Sequence, residues 1–274
     1  MASEPQHRRI ILHLRYGSAE QATVHAAAEL ARMLGLALHG VFVQEDALTE
    51  LTALPFVREF RLATGVWQAL DPRRIAEEQH QAVEQARRLL NEAAAAFGIS
   101  FLFDTGSDKL TAVSQRGDIV VVAQPRLPAE QLAHATAGWL EAAHGRGASV
   151  MLVPQTLARR KGPIAAVVCG EADPALAVGA RLAVSSGEDL VLLVFGTDAL
   201  VAAVTAKVRA AGLLPSRMIV RRLEGIAPEH VVHELDASAE RLVVLTRGAC
   251  GVDDAAVSSQ IASARSIPVL VVEA

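Results

Sequence analysis

A doubly wound α/β fold, repeated once along the chain, is predicted by three features of the sequence. Short runs of Val, Ile, Leu and Ala, of strand length, alternate with segments whose apolar residues recur at helical spacing. Glycine-bearing turns stand where a parallel strand has to turn into a helix. After a polar, basic stretch at residues 154–162, the best linker in the sequence, the same alternation begins again.

The first run, 10–14, is broken by Tyr16-Gly17-Ser18. The segment 19–34 then carries Ala22, Ala26, Leu30, Met33 and Leu34 at helical spacing, with Gly35 as its stop, and 37–43 is the second strand. Residues 46–70 interrupt this rhythm. Leu51, Leu54, Phe56, Phe60, Val66 and Trp67 make the insert too apolar for a loose loop, and a partly helical cover is expected there. Asp71-Pro72 supplies an N-cap and a first-turn proline for a long helix to about residue 96. Its inward stripe is Ile75, Val83, Ala86, Leu90 and Phe97, and Arg73, Glu77, Glu84 and Arg87 face outward. Strands at 100–103, 119–123 and 149–153 follow, with helices at 109–115 and 129–143.

The second pass places strands at 164–168, 189–195, 218–222, 241–246 and 268–272, and helices at 174–184, 199–211 and 228–235. Gly17 corresponds to Gly170, Ile119 to Leu242 and Val150 to Val269. The offset between the copies shrinks along the chain, mostly because of the insert and the longer helix after it. The reading is a duplicated five-strand unit, with domains at 1–157 and 163–274 and the insert at about 46–70.

Composition narrows the class. The chain of 274 residues is 51% hydrophobic with mean hydropathy +0.30 but only 4% aromatic, which points to small side chains packed between helix and sheet and argues against disorder. A net charge of −4 offers no electrostatic footprint for nucleic acid or an anionic membrane. Two cysteines do not make a disulfide scaffold, so a reducing compartment is the default. The start of the chain lacks the apolar core of a signal peptide, and no run approaches the ~20 apolar residues of a membrane span. A cytoplasmic location is the expectation.

The closing stretch, 240–274, is the most specific. It reads as strand, glycine-bearing turn (Arg247-Gly248-Ala249-Cys250-Gly251), small-residue helix and final strand Ile267-Pro268-Val269-Leu270-Val271-Val272. Ala255-Ala256-Val257-Ser258 stands where Gly-Ser/Thr-Val opens the helix in the universal stress protein family, which this pattern resembles. The likeness runs through the chain twice, the insert excepted. It implies a tandem of two Rossmann-like, flavodoxin-like α/β units. Each would have a five-stranded parallel sheet of order 3-2-1-4-5 flanked by helices, and the two would pair through their fifth strands as an intrachain pseudo-dimer. It also implies a non-catalytic stress-response or regulatory role, with ATP or another adenine nucleotide as the ligand of the binding members.

Those members carry an Asp after the first strand and a Gly-x2-Gly-x9-Gly-Ser/Thr loop after the fourth. Here Tyr16 or Arg15, and in the second half Cys169, stand at the Asp position. Gly248-x2-Gly251 is kept, but the loop shortens to three residues before Ala255-Ala256. In the first half, Ala123-Gln124-Pro125-Arg126-Leu127-Pro128 contains no glycine. Backbone N–H groups reach a phosphate closely only where Cβ atoms are absent, and two prolines remove donors, so the first site is expected to be lost. In the second half the candidate nucleotide-binding residues are Cys169, Gly170, Glu171, Gly248, Gly251, Ala255, Ala256 and Ser258. The alternative is a ligand-free protein-interaction module whose glycines serve only tight turns.

Three further groups carry open readings. In the implied strand order Cys169 and Cys250 lie near each other at the topological switch point. They are a redox pair or, the better-fitting reading, two small turn residues. His230 and His233 have a spacing that can serve a metal, but no third ligand accompanies them, and a solvated helix face accounts for them. His13 reads as a buried imidazole. Of seven Phe, two Trp and one Tyr, all but Phe195 precede residue 140, and Phe56, Phe60 and Trp67 lie in the insert. They form a lid over the vacated first pocket or a protein-partner surface, or else pack on their own domain. No Ser–His–acid triad, CxxC pair or metal-ligand set is present, so no catalytic residue or metal is expected. Self-association beyond the chain is left open.

Overall fold

The computed structural model describes residues 7–15, 21–44, 50–52, 54, 56–62, 65–107, 114–124, 143, 145–236, 238–249 and 254–273. Tyr16, Gly17, Cys250, Gly251, the run 125–128 and most of the helices expected at 109–115 and 129–143 lie outside the described residues.

In the first half the elements are β1 (Arg9–Arg15), α1 (Gln21–Leu34), β2 (Ala37–Gln44), β3 (Arg58–Arg61), β4 (Val66–Ala69), α2 (Pro72–Phe97), β5 (Phe101–Ser107), β6 (Ile119–Ala123) and β7 (Ser149–Val153). In the second they are β8 (Ile164–Val168), α3 (Pro174–Ser186), β9 (Leu190–Val194), α4 (Asp198–Ala210), β10 (Met218–Arg222), α5 (Pro228–Leu235), β11 (Leu242–Thr246), α6 (Asp254–Arg265) and β12 (Val269–Val272).

Ten of these strands form one sheet in the order β10-β9-β8-β11-β12-β7-β6-β1-β2-β5. Its pairs are parallel, except that β7 and β12 run antiparallel with Val271 opposite Val150, Leu270 opposite Met151 and Val269 opposite Leu152. The ten strands thus form one continuous sheet, joined where β7 of the first half meets β12 of the second. The physical reason is visible in the two strands: every residue of β7 and of β12 is buried. An edge so apolar, with its backbone groups unpaired, favours another strand over water.

Alternating strand residues feed the two faces. On one face a single core lies beneath α1, α2, α3 and α4 and runs across both halves. On the other, separate clusters serve the second half, under α5 and α6, and the first. Caps set the long helices. Asp71 accepts from Arg73 N at 3.0 Å to start α2, and Gly98, with φ of +64°, ends it by turning its N–H back onto Ala94 and Ala95.

The insert differs from its expectation. Residues 50–52 are helical, but its main body is an antiparallel hairpin with Phe60 opposite Trp67, ring centroids 5.2 Å apart. Gly65, at φ of +66°, leads into β4. Arg74 on the first turn of α2 binds both Glu59 on the hairpin and Glu78, so the hairpin is moored to that helix.

The expected linker is also more ordered than its polarity suggests. Ala158 N donates to Ser266 O at 2.8 Å, and Leu157 packs against the shared core. A Cβ on Gly162, at φ of +136°, would fall 2.0 Å from the Ala239 carbonyl oxygen.

His7, just before β1, yields a pH prediction. Burial, and secondarily the charge of Arg181, bring its pKa down from 6.5 to about 4. The unfolded chain therefore takes up this proton at a higher pH than the folded one. The stability tied to a neutral His7 is complete above pH 6.5 and is lost as the pH falls toward 4. The loss amounts to at most about 3 kcal/mol. Urea melts from pH 7 to pH 4 should show the native chain losing stability more steeply than His7→Leu, and parallel curves for the two proteins would refute this.

Candidate functional site

The crevice between β8 and β11 is where the second-half candidates can be judged. β8 ends at Val168, and Cys169 and Gly170 turn the chain toward α3. That helix starts from Asp173, which is 8% exposed. Asp173 Oδ1 accepts from Ala175 N at 3.0 Å and from the Thr246 hydroxyl, and Oδ2 accepts from Cys169 N at 2.9 Å. Thr246, the last residue of β11, also accepts from Ala175 N, at 2.9 Å. One carboxylate and one hydroxyl therefore bind the two strand ends and the helix start into a single knot. The positive end of α3, which could have met a phosphate, already faces a carboxylate of the protein's own.

Around this knot the candidates separate. Gly170 is half-buried, and a Cβ there would meet nothing within 4 Å. Glu171 is exposed, and its carbonyl accepts from Lys207 Nζ at 2.8 Å. Gly248 is exposed with φ of +64°, a left-handed turn position that favours glycine. Its neighbour Arg247 is held by Glu273 at 3.0 Å. Ala255 and Ala256 lie in the first turn of α6. Ser258, one turn further on, is only 5% exposed and faces the packed side of that helix. Cys169, Gly170 and Glu171 thus follow the end of β8 and Gly248 the end of the adjacent β11, whereas Ser258 is buried.

Cys169 is disulfide-bonded, and Cys250 is the chain's only other cysteine. The reading of Cys169 as a small turn residue is corrected by this bond.

Sequence reasoning missed Asp173 and Thr246. The signal was present: Asp173-Pro174 repeats the cap-plus-proline pattern of Asp71-Pro72. Just past the end of β6 in the first half, Gln124 reaches across to the other half of the molecule. Its amide donates to Ser263 Oγ at 2.5 Å and to the Ser259 carbonyl at 3.3 Å, both on α6.

Of the other singled-out groups, His13 is buried at 6% exposure on β1. The His233 side chain is 83% exposed on α5. Phe56, Phe60 and Trp67 are 76%, 45% and 61% exposed, so the aromatic face of the insert is turned toward solvent. Among the described residues no helix is long and apolar enough to cross a membrane.

These features define a doubly wound α/β protein whose two halves share one sheet. No protein-family model and no curated protein sequence matches the chain. Among solved structures it is similar to a universal stress protein from Archaeoglobus fulgidus DSM 4304, with 13% identity and a TM-score of 0.66, over 98% of this chain and 97% of that one. A candidate universal stress protein from Pseudomonas aeruginosa UCBPP-PA14 is similar at 13% identity and a TM-score of 0.55, over 98% and 94%. The cytoplasmic domain of a prokaryotic cation chloride cotransporter is similar at 9% identity and a TM-score of 0.54, over 97% and 95%. At such identities the likeness establishes the fold, a mostly parallel sheet flanked by helices.

Proposed function

We propose that the chain is a non-catalytic stress-response or regulatory protein of the universal stress type, located in the cytoplasm. In this reading units 1–157 and 163–274 pair within the chain as a pseudo-dimer, each following the strand order 3-2-1-4-5. The second unit takes an adenine nucleotide at the crevice between β8 and β11. The observation that carries the reading is the meeting of an exposed glycine turn at Gly248, an unobstructed Gly170 and the exposed Glu171 at this switch point. Open α/β sheets bind ligands there, and an acidic side chain at the rim suits ribose hydroxyls. A reducing cytoplasm opens the Cys169 disulfide, so the reduced protein is the binding form.

The second reading is a ligand-free module that recognises another protein through Phe56, Phe60 and Trp67. It draws on the solvent-facing aromatic hairpin and on the prior occupation of the α3 N-terminus by Asp173 and Thr246.

The deciding experiment is mass spectrometry and absorbance of the supernatant from denatured protein, followed by melting with millimolar ATP, with and without a dithiol reductant. The first reading expects bound adenine nucleotide, or a melting shift that appears on reduction. Protein that carries no nucleotide and melts unshifted in both redox states hands the function to the second reading.

A further inference from the structure

The outer face of α3 leaves a second cavity, on the helical layer rather than at the strand ends. It measures about 550 Å³, within the ~300–1,000 Å³ of ordinary small-molecule sites. Leu34 from the end of α1, Leu176 and Ala180 from α3 and Val208 from α4 form its apolar floor, and each of these is at least 97% buried. Around the mouth stand Arg181, Ser185 and Lys207, all exposed.

The charge of this cavity is one-sided. Among the described residues its lining contains His7, Arg181 and Lys207 and no carboxylate. Arg181 donates to the Leu34 carbonyl at 2.8 Å and Lys207 to the Glu171 carbonyl at 2.8 Å. Neither makes an ion pair among the described residues, so both cations have only neutral acceptors and keep donors to spare. Both ring nitrogens of His7 are shut off from water without a hydrogen-bond partner among the described residues. A buried polar group left in this state favours any ligand that supplies its partner. His7 is also close enough to Arg181 to feel its charge.

We propose that this cavity binds an anionic amphiphile, a single carboxylate or phosphate head on an unbranched aliphatic body. The head lies at the mouth, accepting from Arg181 and from the imidazole N–H of His7, with Lys207 adding to the positive field. The aliphatic body lies on the floor of Leu34, Leu176, Ala180 and Val208, excluding water from it. This site adjoins the strand ends through the Lys207–Glu171 hydrogen bond but does not depend on nucleotide binding there.

The test is calorimetric titration of the full chain with dodecanoate, dodecyl phosphate, dodecanol and dodecyltrimethylammonium, each below its micelle-forming concentration. Saturable one-to-one binding of one or both anions is expected, and the stronger of the two identifies the head group. Arg181→Gln, at an exposed position, should weaken that binding about tenfold, the size of a lost charge-assisted hydrogen bond. Ala177→Phe, at a half-buried lining position, should abolish it by filling the cavity. The proposal is overturned if neither anion saturates, if dodecanol or the cationic amphiphile binds as tightly, or if both variants bind as well as the native chain.

Discussion

Arg265→Met is expected to destabilise the protein by about 3–5 kcal/mol, among the largest effects available from a single substitution. The reason is its partner. The Glu240 side chain is entirely buried at the start of β11, and Arg265 Nε reaches its Oε1 at 2.9 Å. The same guanidinium binds Asp236 at 2.7 Å and the Leu235 carbonyl at 2.9 Å, tying the end of α6 to the end of α5. Without it, Glu240 keeps the Ser238 hydroxyl at 2.8 Å and a distant Arg159 at 3.9 Å, which are too little for a carboxylate shut away from water. Denaturant titration of the single variant and of the Arg265→Met, Glu240→Met pair measures this directly. The double variant should recover a large part of the loss, because an apolar pair leaves no orphaned charge. A single-variant cost under about 1 kcal/mol would show that the pair is not a buried one in the energetic sense.

Arg241→Met is expected to cost about 3–4 kcal/mol and to act on the junction of the halves. Arg241 opens the turn into β11, and its side chain is 5% exposed. It pairs with Glu29 on α1 of the first half at 2.7 Å and with Glu188 of the second, and it donates to the Arg160 carbonyl at 3.2 Å. One cation therefore joins both halves and the segment between them. Glu29 and Glu188 keep some contact with water, side chains 20% and 19% exposed, so their loss of a partner is softened relative to Glu240. The ranking is itself the check: Arg265→Met should melt below Arg241→Met, and the reverse order would mean that the inter-half contact dominates stability.

The legible parts of this molecule were those governed by local chemistry. β6, β7, β11 and β12 show as short, nearly continuous apolar runs, since a strand buried on both faces has no polar side to display. Asp71-Pro72 marks the start of α2 because a cap and a proline act within a few residues of each other. The insert shows where this stops. Its aromatics announced order, but Phe60 and Trp67 stabilise each other only once the chain reverses between them, a pairing that helical spacing cannot reveal. Arg241, Arg265 and Glu240 are ordinary polar residues in the sequence, and their partners lie on elements brought near only by folding.

The candidate site divides in the same way. Its glycines could be read directly, but the role of Asp173 needed Thr246 and Cys169 to be placed around it. By itself the sequence determined the doubly wound class and the positions of the ten strands of the main sheet, because side-chain periodicity and turn residues act over a few positions. Only the tertiary structure decided that the halves share one sheet, that the crevice is knotted by Asp173 and Thr246, and that a cationic cavity lies against α3. Each of those depends on groups far apart in the chain, whose contacts exist only after the backbone has closed.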